Sequence, residues 1–298
     1  EASVFSSFRE QSFNSRFNYF FLKDMSSRWR LVPTFSAERL KEDNFTTVTY
    51  QLGGRLAHSW EFRQFQLYAD GGPVFEKIYL ISGLGPDRVD NLKVATKVAA
   101  TSHLFEYYLN DPRQGWMVSV ETASQMGGVL ADQSIHRVQL QHQFLWNIGQ
   151  WDPPFLILGW RGTIGSYFFG QRSAVVPDVP VNQRFNLGGD DSIRGYDRKE
   201  LPGNRLGYLT MLYQGLELRT GGWFPLDLQP FLFFDFAKGG MGPSSLDAPN
   251  YYAPGFGLRW DSPIGTIRAT LAKGYAEGKA IDDPEPHWQP YFSFGREF

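Results

Sequence analysis

The feature that most constrains this chain is a two-residue alternation of apolar and polar side chains that returns in segment after segment. Between Ser134 and Ile148, Val138, Leu140, Phe144, Trp146 and Ile148 share one face with His136 and His142. Arg137, Gln139, Gln141, Gln143 and Asn147 take the other. A period of two marks a β-strand whose two faces meet different surroundings. The pattern recurs in Phe155 to Phe169, where Leu156, Leu158, Trp160, Ile164 and Phe168 oppose Arg161 and Thr163. It recurs in Ile264 to Tyr275, Gln114 to Met126, Leu92 to Tyr108 and Phe13 to Phe21. These segments run about 10 to 15 residues, whereas a strand of a soluble domain has about five or six. Tilted strands of that length cross a bilayer.

Composition separates this reading from a soluble sandwich. Aromatics make up 16% of the 298 residues (26 Phe, 14 Tyr and 9 Trp), yet the mean hydropathy is negative. The richest apolar run, Phe155 to Trp160, falls well short of the roughly 18 to 20 residues a membrane helix needs. Many aromatics spread through a polar chain suit strands that offer lipid every second side chain. A net charge of −2 lacks the basic field that nucleic acid binding requires. With no cysteine, disulfides, thiolate metal sites and cysteine nucleophiles are excluded.

The connections alternate in length. Asp261 to Ile264, Thr220 to Asp227 and Gly149 to Pro154 read as short turns, and Arg172 to Gly207, Gly239 to Tyr252 and Ala276 to His287 as long polar loops. Short turns on one rim and long loops on the other are the outer-membrane pattern, with the short side periplasmic. The last strand, Trp288 to Phe298, then runs inward and leaves the C-terminus in the periplasm. Lipid cannot satisfy an open strand edge, so the sheet is expected to close. The fold class expected is all-β, a closed antiparallel transmembrane β-barrel formed as a single domain by residues 1–298. About twelve strands are counted, the first near Phe13. Residues 59–70 and 73–83, where Glu61, Arg63, Glu76 and Lys77 break the alternation, are read as a hairpin beyond the membrane; counting it would make fourteen.

Arg184 to Asp197 (RFNLGGDDSIRGYD) resembles the inward-folding loop of the outer-membrane protein 85 (BamA-like) superfamily, which also includes two-partner-secretion transporters. Its tip motif, hydrophobic-Arg-Gly-aromatic, is matched by Ile193, Arg194, Gly195 and Tyr196. The downstream strands follow in the family's order: Gly215 to Arg219 (GLELR), Pro230 to Gly239 (PFLFFDFAKG) and Pro254 to Gly265 (PGFGLRWDSPIG). The end, Tyr291 to Phe298 (YFSFGREF), resembles the terminal targeting strand, with Phe292, Phe294, Gly295 and Phe298. The resemblance covers roughly residues 184–298. It implies that residues 172–208 fold into the lumen and that Arg194 is anchored by Glu217 and Asp235. Family members that insert barrels or export polypeptides carry polypeptide-transport-associated (POTRA) modules ahead of the barrel; with a strand already at Phe13, none is expected here.

Three charges converging inside a cavity invite a catalytic reading, but a loop-anchoring ion network accounts for them better. A guanidinium offers a fork of donors that two carboxylates can share. Gly188 and Gly189 before Asp190 and Asp191 suit backbone turns, since no strand–loop–helix context for a phosphate cradle follows. His58, His103, His136, His142 and His287 show no metal-ligand spacing, and Asp282, Asp283 and Glu285 read as a solvated acidic loop. An outer-membrane phospholipase needs a serine with a histidine base, and no Gly-x-Ser-x-Gly elbow is present. No enzyme activity, cofactor or metal is expected. The implied role is non-enzymatic, in outer-membrane biogenesis or protein or lipid translocation. A passive pore or lipid-binding barrel, and the translocator half of a secreted-lipase system, stay open as alternatives. Outer-membrane lipid and lipopolysaccharide are the expected surroundings; a client polypeptide or lipid and a second copy of the chain are the candidate partners.

Overall fold

The computed structural model describes residues 2–20, 29–43, 45–107, 113–125, 134–152, 154–170, 179–204, 206–221, 223–262, 265–278, 285 and 287–294. Sixteen strands form one antiparallel sheet: β1 (Ala2–Ser6), β2 (Glu10–Arg16), β3 (Tyr19–Phe20), β4 (Trp29–Lys41), β5 (Thr46–Glu61), β6 (Phe65–Ser82), β7 (Arg88–Ser102), β8 (Gly115–Gln125), β9 (Ile135–Ile148), β10 (Leu156–Phe169), β11 (Thr210–Thr220), β12 (Leu228–Gly240), β13 (Asn250–Ser262), β14 (Gly265–Lys273), β15 (Tyr275–Glu277) and β16 (Trp288–Phe294). Neighbours pair in chain order from β1 to β16, except that β3 continues β2 along β4 and β15 continues β14 along β13. A short helix, α1 (His103–Tyr107), follows β7. No helix among the described residues is long and apolar enough to cross a membrane.

The expected count of about twelve strands is corrected here to sixteen; β3 and β15, short continuations of β2 and β14, supply two of the four added strands, and two errors account for the others. Ala2–Ser6 adds a strand ahead of Phe13. The two segments assigned to a hairpin beyond the membrane belong instead to the end of β5 and to a single 18-residue β6, paired along its length with β5 and β7. The Gly71, Gly72, Pro73 run reads as a turn because those residues usually punctuate strands. In the fold it sits mid-strand. The ladder to β5 lapses opposite Gly54 and Arg55 and resumes in the same register at Gly53 and Val74. Proline has no N–H to give to a ladder, and Gly72 lies so close to the neighbouring strand that a Cβ would stand 2.1 Å from the Gly54 carbonyl oxygen. Glu76 does not interrupt the pattern either: it is an inward residue with 1% exposure.

Burial follows the period of two. In β11, Tyr213, Glu217 and Arg219 are buried while Leu216 and Leu218 are exposed. In β12, Phe231, Phe233 and Asp235 are buried while Leu232 and Phe234 are exposed. The outer face is thus apolar and open, and the inner face carries the charges. Strands β2 and β4 to β9 all line one internal cavity. Phe5 of β1 and Tyr291 of β16 line a second one together, so the sheet curls until its two ends share an internal space. The largest hydrophobic cluster sits inside that curl. It joins Val179, Phe185, Leu187, Ile193, Tyr196 and Leu201 of the segment between β10 and β11 to inner-wall residues such as Tyr167, Tyr213, Ala237 and Tyr251.

Gly72→Ala should lower the unfolding midpoint in urea by an amount equivalent to about 1 to 3 kcal/mol, the usual cost of overpacking, because the added carbon meets backbone rather than a movable side chain. Gly54→Ala, where nothing lies within 4 Å of the new carbon, should be tolerated. Equal midpoints for the two variants would refute this account of β6.

Candidate functional site

Adjacent strands β11 and β12 pair with Gly215 opposite Asp235 and Glu217 opposite Phe233. Alternation turns both carboxylates to the same inner wall. Arg194 reaches them from the segment between β10 and β11 and has no exposed surface. Its Nε donates to Asp235 Oδ2 at 2.7 Å and its NH2 to Asp235 Oδ1 at 2.8 Å, a bidentate fork. Its NH1 donates to Glu217 Oε2 at 3.2 Å, and its backbone N–H to Asp235 Oδ2 at 3.0 Å.

Further side chains complete the network. Tyr213 donates its hydroxyl to Asp235 Oδ1 at 3.2 Å and accepts from Arg161 Nε at 3.0 Å. Arg161 also donates to the Asp190 carbonyl. Arg268 of β14 donates to Glu217 Oε2 at 2.7 Å. The Arg194 guanidinium lies 3.4 Å from the Phe233 ring centroid, and that of Arg268 lies 4.9 Å from the Phe231 centroid, each over the negative face of an aromatic ring. Those rings need room. A Cβ on Gly255 or Gly257 of β13 would stand 2.3 Å from Phe233 or Phe231 respectively.

The tip beyond Arg194 is held by shape. Gly195 has φ +99°, which side-chain-bearing residues rarely adopt. It lies against Gly274, the residue between β14 and β15, where a Cβ would stand 2.6 Å from the Gly195 carbonyl oxygen. Tyr291 of β16 accepts from the Gly195 N–H at 3.2 Å and donates to the Tyr196 carbonyl. Ile193 and Tyr196 are buried in the hydrophobic cluster. The acceptor contacts described for Asp235 and Glu217 face guanidinium, hydroxyl and backbone N–H donors, an arrangement suited to holding a segment in place.

The model of the Omp85 superfamily domain matches residues 5–298. The chain belongs to the Omp85 superfamily. It is 32% identical over 133 residues, 41% of this chain, to the outer membrane protein assembly factor BamA of Nitratidesulfovibrio vulgaris, and that alignment spans 16% of the relative. Among solved structures it resembles BamA from Haemophilus ducreyi lacking POTRA domains 1-3, with a TM-score of 0.72 and 15% identity over 96% of this chain and 62% of that one. It also resembles CdiB from Acinetobacter baumannii, with a TM-score of 0.58 and 14% identity over 96% of this chain and 50% of that one. At such identities the likeness is one of fold, and the chain spans less than two thirds of each of these proteins.

Within this Omp85 chain, several contacts of the network lie beyond sequence reading. Gly274 and Tyr291 meet the Arg194 tip, and Arg268 meets its partner Glu217, only because the curl sets β14 and β16 beside them. A second tie lies on another wall: Glu76 Oε2 accepts from Gln51 Nε2 and from Lys93 Nζ, each at 2.7 Å, and Glu76 Oε1 accepts from Gln183 Nε2 of the inner segment. The other residues singled out from sequence are dispersed. Phe292 and Phe294 point outward and are exposed, while Gly295, Phe298, Asp282 and Asp283 lie outside the described residues. Gly188 and Gly189 have φ of +109° and +104°. His58 stacks on Trp29 and His142 meets Trp160 edge-on. His287 comes within 4.8 Å of Asp197 and Glu200, a grouping that sequence spacing does not reveal. Its pKa is raised by its hydrogen bond to the Glu285 carbonyl and then by the nearby Glu200 and Asp197 carboxylates.

Arg194→Ala should cost about 3 to 5 kcal/mol, the usual result of leaving buried charges without a partner. It should raise tryptic cleavage around Arg198 and Lys199 while the sheet stays folded. Arg194→Lys should restore protection only in part, because an ammonium cannot reproduce the fork. Cleavage unchanged in Arg194→Ala would show that the segment is held by other contacts.

Proposed function

We propose that this chain is a non-enzymatic, integral outer-membrane barrel that works in outer-membrane biogenesis or in the translocation of polypeptide or lipid. In this reading residues 1–298 form one domain and the sheet closes on itself. Residues 172–208 occupy the lumen, and the C-terminus is periplasmic. Ile193, Arg194, Gly195 and Tyr196 anchor that segment through Glu217 and Asp235, and Phe292, Phe294, Gly295 and Phe298 form the terminal targeting strand.

The observation that carries the reading is the inversion of the faces. Leu232 is 63% exposed and Phe292 73%, while Arg194, Arg259 and Glu76 are at most 1% exposed. In water such a continuous apolar outer face would be an aggregation liability; in lipid it is the solvated surface. Hydrocarbon offers no partner for the free edges of β1 and β16, which favours their meeting. A join between the first and last strands, which no turn connects, is the natural place for a client to enter lipid. The Omp85 membership and the BamA and CdiB likenesses support the biogenesis or translocation role.

On intact cells, a cysteine replacing exposed Asp247 in the β12–β13 connection should react with an impermeant maleimide, and one replacing exposed Asp152 in the β9–β10 turn should react only after permeabilisation. The reverse pattern would invert the topology. Depletion of the protein in its own cells should lower the outer-membrane level of at least one barrel protein, exported polypeptide or lipid. Unaltered outer-membrane protein and lipid profiles would remove the biogenesis and translocation role.

A further inference from the structure

The curl of the sheet encloses space that the described residues of the inner segment do not fill. Three cavities of about 540, 860 and 250 Å³ lie inside it. They share walls: Gln139 borders the first and second, Lys93 the first and third, Arg184 the second and third, and Arg137 all three. Along β6 the lining runs from Tyr68 in the first cavity to Glu76 in the third. Those eight steps cover about 26 Å at 3.3 Å per residue, or about 20 Å along the axis of a barrel with strands tilted by about 40°. That is most of the apolar band of an outer-membrane barrel.

The charges lining the first cavity do not balance, whereas the second sets Glu10, Asp190 and Asp191 against Arg137, Arg184, Arg198 and Lys199. The first cavity is lined by Arg16, Arg55, Lys93, Lys97 and Arg137, but only by the carboxylates of Asp70 and Glu121. Arg55 pairs with Asp70 at 3.1 Å, Lys97 with Glu121 at 2.7 Å, and Lys93 with Glu76 at 2.7 Å. Glu38 also faces the third cavity, as does Arg184. Arg137 differs from the paired cations. Its NH2 donates to the neutral amide oxygen of Gln139 at 2.5 Å, its guanidinium lies 4.8 Å from the centroid of Phe185, and its buried Nε has no hydrogen-bond partner. Among the described residues no carboxylate pairs with it. Phe185 belongs to the inner segment, and Arg137 borders all three cavities, so the guanidinium sits beside that segment where the cavities adjoin. A cation at a constriction with low-dielectric walls focuses the field there, and rings or points of Arg and Lys select anions in pores.

We propose that the three cavities form one water-filled passage with a preference for small anions, and that Arg137 is the residue that sets the preference. This rests on the membrane-spanning closed barrel proposed above. The passage runs beside the inner segment, along β2 and β4 to β9 at the first cavity and along β1, β9 to β11 and β16 at the second, and Arg194 itself lines none of the three cavities.

The purified full chain in a planar lipid bilayer under a tenfold potassium chloride gradient tests this. The zero-current potential should show chloride more permeant than potassium. Arg137→Glu should lower that permeability ratio severalfold, to one or below, and Arg137→Gln should lower it less. Arg137→Gln keeps a neutral hydrogen-bonding side chain and supplies the same readout if the glutamate variant does not fold. Chloride preference lost on substitution supports the proposal. A wild-type preference for potassium, or a ratio that both variants leave unchanged, overturns it. So does a chain that inserts, shows heat-modifiable migration and protease protection, and yet passes no current; that result leaves the membrane reading standing. Failure to insert at all removes the membrane reading, and the passage with it.

Discussion

Arg194 takes a full positive charge to a place without solvent, and much of the interior is arranged around that fact. Removing such an ion from water costs several kcal/mol even after relaxation, so every donor needs a good partner. Asp235 takes the fork and the backbone N–H, Glu217 takes the remaining amine, and the Phe233 ring covers the plane. Glu217 is shared with Arg268, which leaves the four-membered core of the network electrically neutral. The dependence is mutual. Two carboxylates on adjacent strands at one inner wall repel each other unless a cation stands between them. The inner segment, for its part, loses conformational entropy at every residue it orders. Once the ion pair fixes the tip, the apolar residues on either side of it fall into register with the wall, and the largest hydrophobic cluster is built jointly from the two.

What the sequence shows and what it hides divide along the same physical line. A period of two reports which face a side chain occupies, and it marks Glu217 and Asp235 as neighbours because their strands are adjacent. It does not report which strands face each other across the interior. Tyr291 and Gly274 touch the Arg194 tip, and Gln183 touches Glu76, through the curl of the sheet, which no local pattern encodes. The misreading of β6 has a different cause. Gly71, Gly72 and Pro73 carry turn chemistry, and Glu76 and Lys77 look like interruptions. Yet Gly72 is there to let two backbones approach, and Lys77 stays on the outer face with its amine 5.8 Å from the Tyr79 ring centroid, an amphipathic side chain keeping its charge near an interface. His287 meets Asp197 and Glu200 across some 90 residues of chain, a distance at which ligand spacing carries no information.

The two parts of the sheet share an outer face of one kind and differ inside. From β11 onward most of the inner wall is closely packed. Arg219 and Arg259 are buried, and the Phe231 and Phe233 rings occupy space that only glycine at 255 and 257 leaves open. Such a wall demands particular residues at particular positions, so it writes a signature that can be read from one sequence. From β2 to β9 the inner wall borders open space. There, almost any polar side chain is acceptable, because water completes whatever hydrogen bonds the protein leaves open. That is why the family resemblance reads clearly only from about residue 184, although the superfamily domain extends from residue 5.

The same contrast makes the inner segment's attachment lopsided. On the β11–β12 side it is held by fully buried, charge-assisted hydrogen bonds, which salt screens little. On the β2 side Arg198 meets Glu10 at 3.3 Å and Lys199 meets Glu42 at 2.8 Å. In the Arg198–Glu10 pair both side chains stay partly open to solvent, 46% and 30%, and pairs of this kind contribute about 0 to 1 kcal/mol, while Glu42 beside Lys199 is buried. Between them, Gln183 and Asn182 hydrogen-bond to Glu76 and Thr49 on β6 and β5. The segment is therefore a strut with one end fixed by buried ion pairs, a middle held by hydrogen bonds to β5 and β6, and one end, facing β2, whose outermost ion pair is open to solvent, so its least costly displacement starts at the β2 side.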